Sequence, residues 1–510
     1  MPTNLSAALY VCVAVLIGYG IGRICLPQHR DFLTRATIAW VLVSALLFTT
    51  THAAIFMLGA GLIAWCAAPR DPVWRIGFYA ALVIACPPGI EWQISVPGIE
   101  RLYVFSYDQV LALALLLPTA LQRELAKQPA RAPASPVHRL LAIALAFVCV
   151  TFLLDFRDTT FTNGLRYGLR NLLTTALVVA ALGNGAKRRE IFAAAMAGIL
   201  VAGIFNVVIG LLQDRTHWLF YSEVSGNLRL FAIRYDLLMM QRGGALRIPG
   251  TLSPIPYGIH MVLCIVASLY FLWSRQATRW VKLLMVACLY LAVRSGSRGA
   301  LLGLAVALFF FLLLSPKLRS LRPALVAVTV FLLGMFLFTD LFSKFIAVDE
   351  HGTFAYRMDL IINSMDSISR HPLFGTPKFL ENPVLQRSRQ GEGLIDIVNA
   401  FLGIVLKYGI VGLVLFVWPL FSQIGVLWRQ RRMHEIANDH VHERTVRAGV
   451  SMLIGFAAAI STVSFIDHLA LLYWLLIFAS VGLAGISSTV GVANTARESL
   501  MRRSSPPSRR

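Results

Sequence analysis

Charge is scarce in this sequence and acid scarcer still: 14% of the 510 residues are charged, with 25 Asp and Glu set against 46 Lys and Arg. With 57% of residues hydrophobic, so thin a polar inventory cannot coat a soluble core, and the chain belongs in a bilayer. The seven cysteines (Cys12, Cys25, Cys66, Cys86, Cys149, Cys264 and Cys288) all fall inside apolar runs. That leaves the loops without a readable disulfide framework or zinc site, so no metal is expected. No Gly-x4-Gly-Lys-Ser/Thr occurs, which excludes a P-loop and means that energy for chemistry must arrive with the substrate. No internal repeat points to an inverted-repeat transporter. The net charge of +21 raises the question of nucleic acid, but neither a soluble basic face nor a binding module accompanies it.

What is present is a series of apolar runs, each about 17 to 24 residues long, enough for a helix to cross a hydrocarbon core of about 30 Å. Spans are expected near 8–25, 33–49, 52–68, 74–90, 104–122, 138–155, 165–182, 189–212, 256–273, 279–293, 298–315, 322–342, 405–428, 446–464 and 467–486. The first run has no basic residue before it and reads as a transmembrane helix rather than a cleaved signal. The fold class is all-α: a polytopic bundle of about 13 to 15 helices, with two large external loops carrying short helices. The corresponding organisation is 1–212 transmembrane, 213–255 first loop, 256–342 transmembrane, 343–404 second loop, 405–486 transmembrane, and 487–510 a disordered basic tail.

Taking every second loop as one set tests the alternation against the positive-inside rule. One set collects Arg30 and Arg35; Arg70 and Arg75; Arg123, Lys127 and Arg131; Lys187, Arg188 and Arg189; Arg275 and Arg279; Lys317, Arg319 and Arg322; and Arg429, Arg431, Arg432, Arg444 and Arg447. These loops and the C-terminus are expected to be cytoplasmic, which puts both long loops outside the bacterial inner membrane.

The external set is poor in lysine yet holds Arg166, Arg170, Arg215, Arg229, Arg234, Arg242, Arg247, Arg294, Arg298, Arg357, Arg370, Arg387 and Arg389. Arginine's planar, permanently charged fork grips phosphate in two places. Guanidinium groups converging at a membrane-level hollow would bind a diphosphate, the leaving group of a polyprenol-linked sugar donor. The alternatives are headgroup contacts and pairing with nearby carboxylates. Three segments sharpen the pattern. Leu246–Pro254 carries Arg247 into turn residues before a span, which also suits a plain helix start. Arg294-Ser295-Gly296-Ser297-Arg298 is so short a turn that both guanidinium groups must lie at the membrane boundary, where snorkelling to lipid is the competing role. Tyr356-Arg357-Met358-Asp359-Leu360, followed by His371-Pro372-Leu373-Phe374-Gly375, reads as an amphipathic external helix whose Leu360, Ile361, Met365 and Ile368 face the membrane or the bundle.

With Asp396-Ile397-Val398-Asn399-Ala400-Phe401-Leu402 leading to Gly409-Ile410-Val411-Gly412, these segments together resemble the superfamily of O-antigen ligases and Wzy-type polymerases. The resemblance covers most of the chain and rests on the order and spacing of its motifs. It implies a GT-C-like helical fold. It also implies transfer of a glycan from a polyprenyl pyrophosphate to a hydroxyl acceptor at the external face, with arginines on the pyrophosphate and no metal, nucleotide sugar or other cofactor.

One position departs from the ligase pattern, since Val398-Asn399 stands where ligases carry His-Asn. Valine exchanges no proton, so Asp396 becomes the first candidate for the base and Glu392 the second. Asp396 is equally placed to serve as a charge at a helix N-terminus, and Asn399 to bind sugar or cap that helix. His351, His371, Asp467 and His468 are further boundary groups. The expected site is therefore Asp396, Glu392 and Arg298 for catalysis, with Arg170, Arg247, Arg294, Arg357, Tyr356 and Asn399 for substrate. The missing histidine favours polymerisation of lipid-linked repeat units over ligation. Expected partners are the polyprenyl-pyrophosphate-linked donor and acceptor, membrane lipids, and a chain-length regulator or other export machinery, but no nucleic acid. A transporter or flippase is the rival from another class. It would require charges near mid-membrane, for which Lys407 is the obvious candidate.

Overall fold

The computed structural model describes residues 4–125, 136–157, 159–183, 188–228, 241–242, 245–321, 323, 353–389, 395–437, 439–464, 466 and 468–484. The first helices are α1 (Asn4–Cys25), α2 (Arg30–Thr49), α3 (Ala53–Ala67) and α4 (Pro72–Leu82). A hairpin of β1 (Glu91–Val96) and β2 (Ile99–Ser106) follows. A continuous rod then runs through α5 (Tyr107–Leu111), a π-helical turn and α6 (Leu117–Leu125). After α7 (Pro136–Leu154), a second rod joins α8 (Phe161–Asn171) through a π turn to α9 (Leu177–Gly183). Next come α10 (Arg188–Thr216), the short α11 (Ser222–Asn227), and the two-residue strands β3 (Gln241–Arg242) and β4 (Ala245–Leu246). The remaining helices are α12 (Pro254–Trp273), α13 (Val281–Arg294), α14 (Arg298–Leu313), α15 (Thr353–Arg370), α16 (Ala400–Ile436), α17 (His440–Ile460) and α18 (Leu469–Ala484).

Among the described residues five helices are long and apolar enough to cross a membrane, at Asn4–Cys25, Pro27–Thr49, Glu190–Thr216, Pro254–Trp273 and Ala400–Ile436, with shorter apolar helices beside them. Together they make an all-α polytopic membrane protein. Helix α10 runs through the middle, almost wholly buried, whereas α1 turns Leu5, Leu9, Leu16 and Ile17 outward as a lipid-facing helix does. Helices α14 and α17 cross at the contact of Gly303 with Gly455. A Cβ on Gly455 would lie 2.5 Å from the Gly303 carbonyl oxygen, so only hydrogen there lets the backbones touch.

Contacts between distant connecting segments tie the bundle together: Thr278 N donates to Cys25 O (3.0 Å), the His29 ring lies against Trp74, and Arg431 reaches Leu314 O (2.6 Å). Likewise Thr251 meets Ile84, Arg157 meets Gly375, and Ser464 meets Asp396.

Several boundaries differ from the sequence expectation. The run 74–90 is helical only to Leu82, and the start of the run expected at 104–122 is strand up to Ser106. The hairpin between them pairs Trp92 with Phe105 and turns at Pro97-Gly98; its Pro-Gly punctuation between aromatic and β-branched runs was the available signal. Helix α16 starts at Ala400 rather than at 405 and continues to Ile436. Helix α15 is amphipathic as expected, and Leu360 is buried in a cluster with Leu385, Leu402 and Leu406, so its apolar face lies on the start of α16. Met365 is 54% exposed and does not share that packing on α16. The expected span 322–342 falls almost entirely outside the described residues, and the tail after 484, Arg229, Arg234, His351, Glu392 and Asp467 lie wholly outside them.

Candidate functional site

The site is built on the turn between α13 and α14. Ser295 Oγ donates to Ala292 O (2.7 Å) and accepts from Ser297 N (3.2 Å), while Ser297 Oγ caps α14 through Ala300 N (3.3 Å). The turn therefore ends one helix and starts the next, with Arg294 and Arg298 at its two ends. Segment 247–254 docks against it: Ile248 N donates to Arg294 O (3.2 Å) and Arg247 Nε to Ser295 O (2.9 Å), with the Arg247 side chain lying along Gly296.

That docking is enforced from the buried side by α10. Asn206 Oδ1 accepts from Thr251 N (3.0 Å) and Thr251 Oγ1 (2.9 Å), and Thr251 Oγ1 also donates to Ile84 O (2.6 Å). The Gln213 amide pairs both ways with the Gly250 backbone, at 3.0 Å each. A stretch that reads in sequence as a loop with turn residues is thus locked by three buried side chains.

The carboxylate arrives from the second loop. Asp396 is exposed, and its Oδ1 accepts a short hydrogen bond from Ser464 in the turn after α17. Tyr356 of α15 fixes the Asp396 backbone reciprocally: its phenol donates to Asp396 O (2.9 Å) and accepts from Asp396 N (3.0 Å). Burial pushes that phenol above its ordinary pKa, so it remains the protonated donor the pair requires. The turn holding Ser464 also packs on α14, because a Cβ on Gly299 would meet Thr462 Oγ1 at 2.6 Å. This chain of contacts links the Arg247 side chain, the turn that carries Arg298, Asp396 and Tyr356 at one end of α14, with Arg357 next to Tyr356 in α15. Arg298 is exposed, whereas Arg247 and Arg357 are half-buried.

The other sequence candidates take different positions. Arg294 Nε donates to Asp214 (2.9 Å), which also accepts from Tyr290, so this guanidinium is held by a carboxylate at the end of α10. Arg170 is exposed on α8, where its charge opposes the burial that pushes the Tyr103 phenol of the hairpin up to about 12. Asn399 caps α16, its Oδ1 accepting from Leu402 N (3.1 Å). Arg370 pairs with Asp366 one turn back on α15, and His371 is exposed. His468 is buried, and its Nε2 finds no partner among the described residues.

Sequence reading missed the geometry of the glycine motif. Helix α16 breaks at Gly409 (φ 69°, ψ −168°), and segment 372–376 lays its backbone into the gap. Thr376 N donates to Leu406 O (2.9 Å), while Ile410 N and Val411 N donate to Pro372 O (2.9 Å) and Leu373 O (3.1 Å). The His-Pro-Leu-Phe-Gly and Gly-x-x-Gly motifs are therefore two halves of one backbone junction. Lys407, just before the break, forms an ion pair with the buried Asp155 (2.8 Å), a partner the sequence did not reveal.

This is a multi-pass membrane protein in which Arg247, the Arg298 turn, Asp396 and Tyr356 are connected through contacts at the start of α14. A family model described as O-Antigen ligase matches residues 283–417, the stretch that contains the α13–α14 turn, α15, the Asp396 segment and the break in α16. An O-antigen ligase of Pseudomonas aeruginosa is 28% identical over 190 residues, 37% of this chain, so the alignment spans 44% of that relative's length. Over these stretches the chain is similar to the O-antigen ligase and Wzy-type superfamily, a group of membrane glycosyltransferase-like enzymes.

Proposed function

We propose that the protein is a polymerase of lipid-linked oligosaccharide repeat units, of an O-antigen or an exopolysaccharide, working at the periplasmic face of the inner membrane with its C-terminus in the cytoplasm. The donor is a glycan on a polyprenyl pyrophosphate. The acceptor hydroxyl attacks the anomeric carbon, the bond from that carbon to the diphosphate oxygen breaks, and the hydroxyl proton passes to Asp396. Arg247, Arg298 and Arg357 stabilise the charge that builds on the departing diphosphate, with Arg170 and Arg294 as outlying cations and Glu392 as the second carboxylate. The leaving diphosphate supplies the driving force, so neither metal nor nucleotide enters the reaction.

The observation that supports this reading is the chain of contacts that links Arg247, the turn carrying Arg298 and the doubly tethered Asp396 at one end of α14. Val398 in the ligase histidine position inclines the reading to polymerisation, with a chain-length regulator or export machinery as partner. The P. aeruginosa relative favours the second reading, ligation of finished glycan to another acceptor. Incubating the purified protein with a lipid-pyrophosphate oligosaccharide separates them. Products growing by whole repeat units support polymerisation, transfer only to a non-repeat acceptor supports ligation, and no transfer to either rejects both. In cells, loss of polymerisation leaves single repeats on the carrier, whereas loss of ligation leaves long polymer there.

A further inference from the structure

Asp155 and Arg157 lie outside the segment matched by the family model and outside every motif described above. They sit at the end of α7, in a helical hairpin closed tightly because Gly164 and Gly168 of α8 leave room for the rings of Phe156 and Phe152. From there both side chains reach the break in α16. Asp155, 1% exposed, accepts from Lys407 Nζ (2.8 Å), Tyr408 OH (3.1 Å) and Asn171 Nδ2 (3.1 Å). Arg157 spreads its fork over backbone oxygens: NH1 donates to Gly375 O (3.1 Å), and NH2 to Phe374 O (2.7 Å) and Lys407 O (3.4 Å).

A break in a helix deprives the flanking carbonyls of their intrahelical partners, so other groups must pair them. Here Thr376 N takes Leu406 O, and the Arg157 fork takes Lys407 O together with two carbonyls of the inserted segment. One side chain thus binds both sides of the junction, while the Asp155–Lys407 pair fixes how the helix end is turned. Only nine residues, 400–408, separate this junction from the Asn399 cap and the Asp396 segment, a rod about 13 Å long. A tilt of roughly 10° at the junction would carry the far end through about 2 Å, and displacements of that order at a reacting group cost about a hundredfold in rate.

We propose that Asp155 and Arg157 are positioning residues for glycosyl transfer: by clamping the junction at Lys407–Gly409 they set the direction of the half-helix whose outer end presents Asp396 to the arginines. The proposal rests on the reading of Asp396 as the proton acceptor. Neither residue touches substrate in this account, so their loss is to appear in kcat and not in donor KM.

Three variants test it in the full-length purified protein: Arg157→Lys, which keeps the charge and loses the fork; Arg157→Ala; and Asp155→Asn combined with Lys407→Met, which removes the ion pair without stranding a charge. The expected result is a fall in kcat of about 30-fold with donor KM within about threefold of wild type and thermal midpoints held. Free guanidinium ion is expected to recover part of the Arg157→Ala loss. Hydrogen exchange at the amides of Thr376, Ile410 and Val411 is expected to quicken about tenfold in the same variants. Unchanged kcat in folded protein overturns the proposal, as does a rise in KM at constant kcat or a loss that follows the melting temperature alone. Wild-type protein that transfers glycan to no acceptor refutes the functional reading instead, and the exchange rates then still decide whether the clamp holds the junction.

Discussion

The backbones of Gly409 and Leu373 meet so closely that a Cβ at position 409 would lie 2.2 Å from the Leu373 carbonyl oxygen. The contact exists because φ at Gly409 is positive and ψ is near 180°, a combination open in practice to glycine alone. Gly409→Ala is therefore expected to destabilise the protein by at least about 3 kcal/mol, from backbone strain plus displacement of the inserted segment. Thermal unfolding in detergent measures this, and a melting temperature equal to wild type would show that the junction tolerates a side chain.

Arg298 and Arg294 flank one turn but have different neighbours, and their variants are expected to separate. Arg298→Ala removes an exposed cation near Asp396, and we expect a loss of about 10²–10³ in kcat with the fold intact. Arg294→Ala strips Asp214 of its cation, and its main effect is expected on stability, about 1–2 kcal/mol because the pair is partly exposed. Paired activity and melting measurements on the two variants check the contrast; equal activity losses would show that Asp214 does not set Arg294 apart.

Tyr356→Phe deletes one oxygen and with it both hydrogen bonds to the Asp396 backbone. The expected outcome is up to about 2 kcal/mol less stability and a kcat lowered about tenfold, since the ring still packs but the carboxylate segment loses its anchor. Arg387→Ala, an exposed change in the same loop, serves as the control and is expected to retain wild-type turnover. A Tyr356→Phe protein with full activity would mean that Ser464 alone suffices to place Asp396.

Thr251→Val keeps the shape of the side chain and removes the hydroxyl shared by Ile84 and Asn206. Both acceptors are buried, so the cost is expected to be about 1–3 kcal/mol. Denaturant or thermal unfolding reads it directly, and a shift below about 0.5 kcal/mol would argue against the lock on segment 247–254.

The bundle was legible because its signal is local: apolar runs of spanning length, and basic loops that alternate. Arg298, Asp396 and Asn399 were visible as types in suggestive positions, and Asn399 proved to be the helix cap that was one of its two open roles. What stayed hidden is pairing across the chain. Nothing near Lys407 announces Asp155, 252 positions earlier, and nothing near Arg294 announces Asp214, because periodicity reports which face of a helix is apolar and not which side chain meets it from another helix. The break in α16 was hidden for a related reason: a glycine inside an apolar run signals a possible kink, but the turn that fills it comes from about 35 residues upstream. The β-hairpin was missed differently: Glu91–Val96 and most of Ile99–Ser106 fall in what read as a plain connection between the runs 74–90 and 104–122, and only residues 104–106 were counted within a span.

Asp396 is held by Ser464, and Ser464 follows α17, close to the end of the described bundle. During synthesis, therefore, the arginines are threaded into the membrane well before the residue that steadies their carboxylate. On the proposed function, a chain synthesised only that far holds Arg247, Arg298, Arg357 and Tyr356 but lacks the hydroxyl that Ser464 donates to Asp396, so its carboxylate is anchored through the backbone alone.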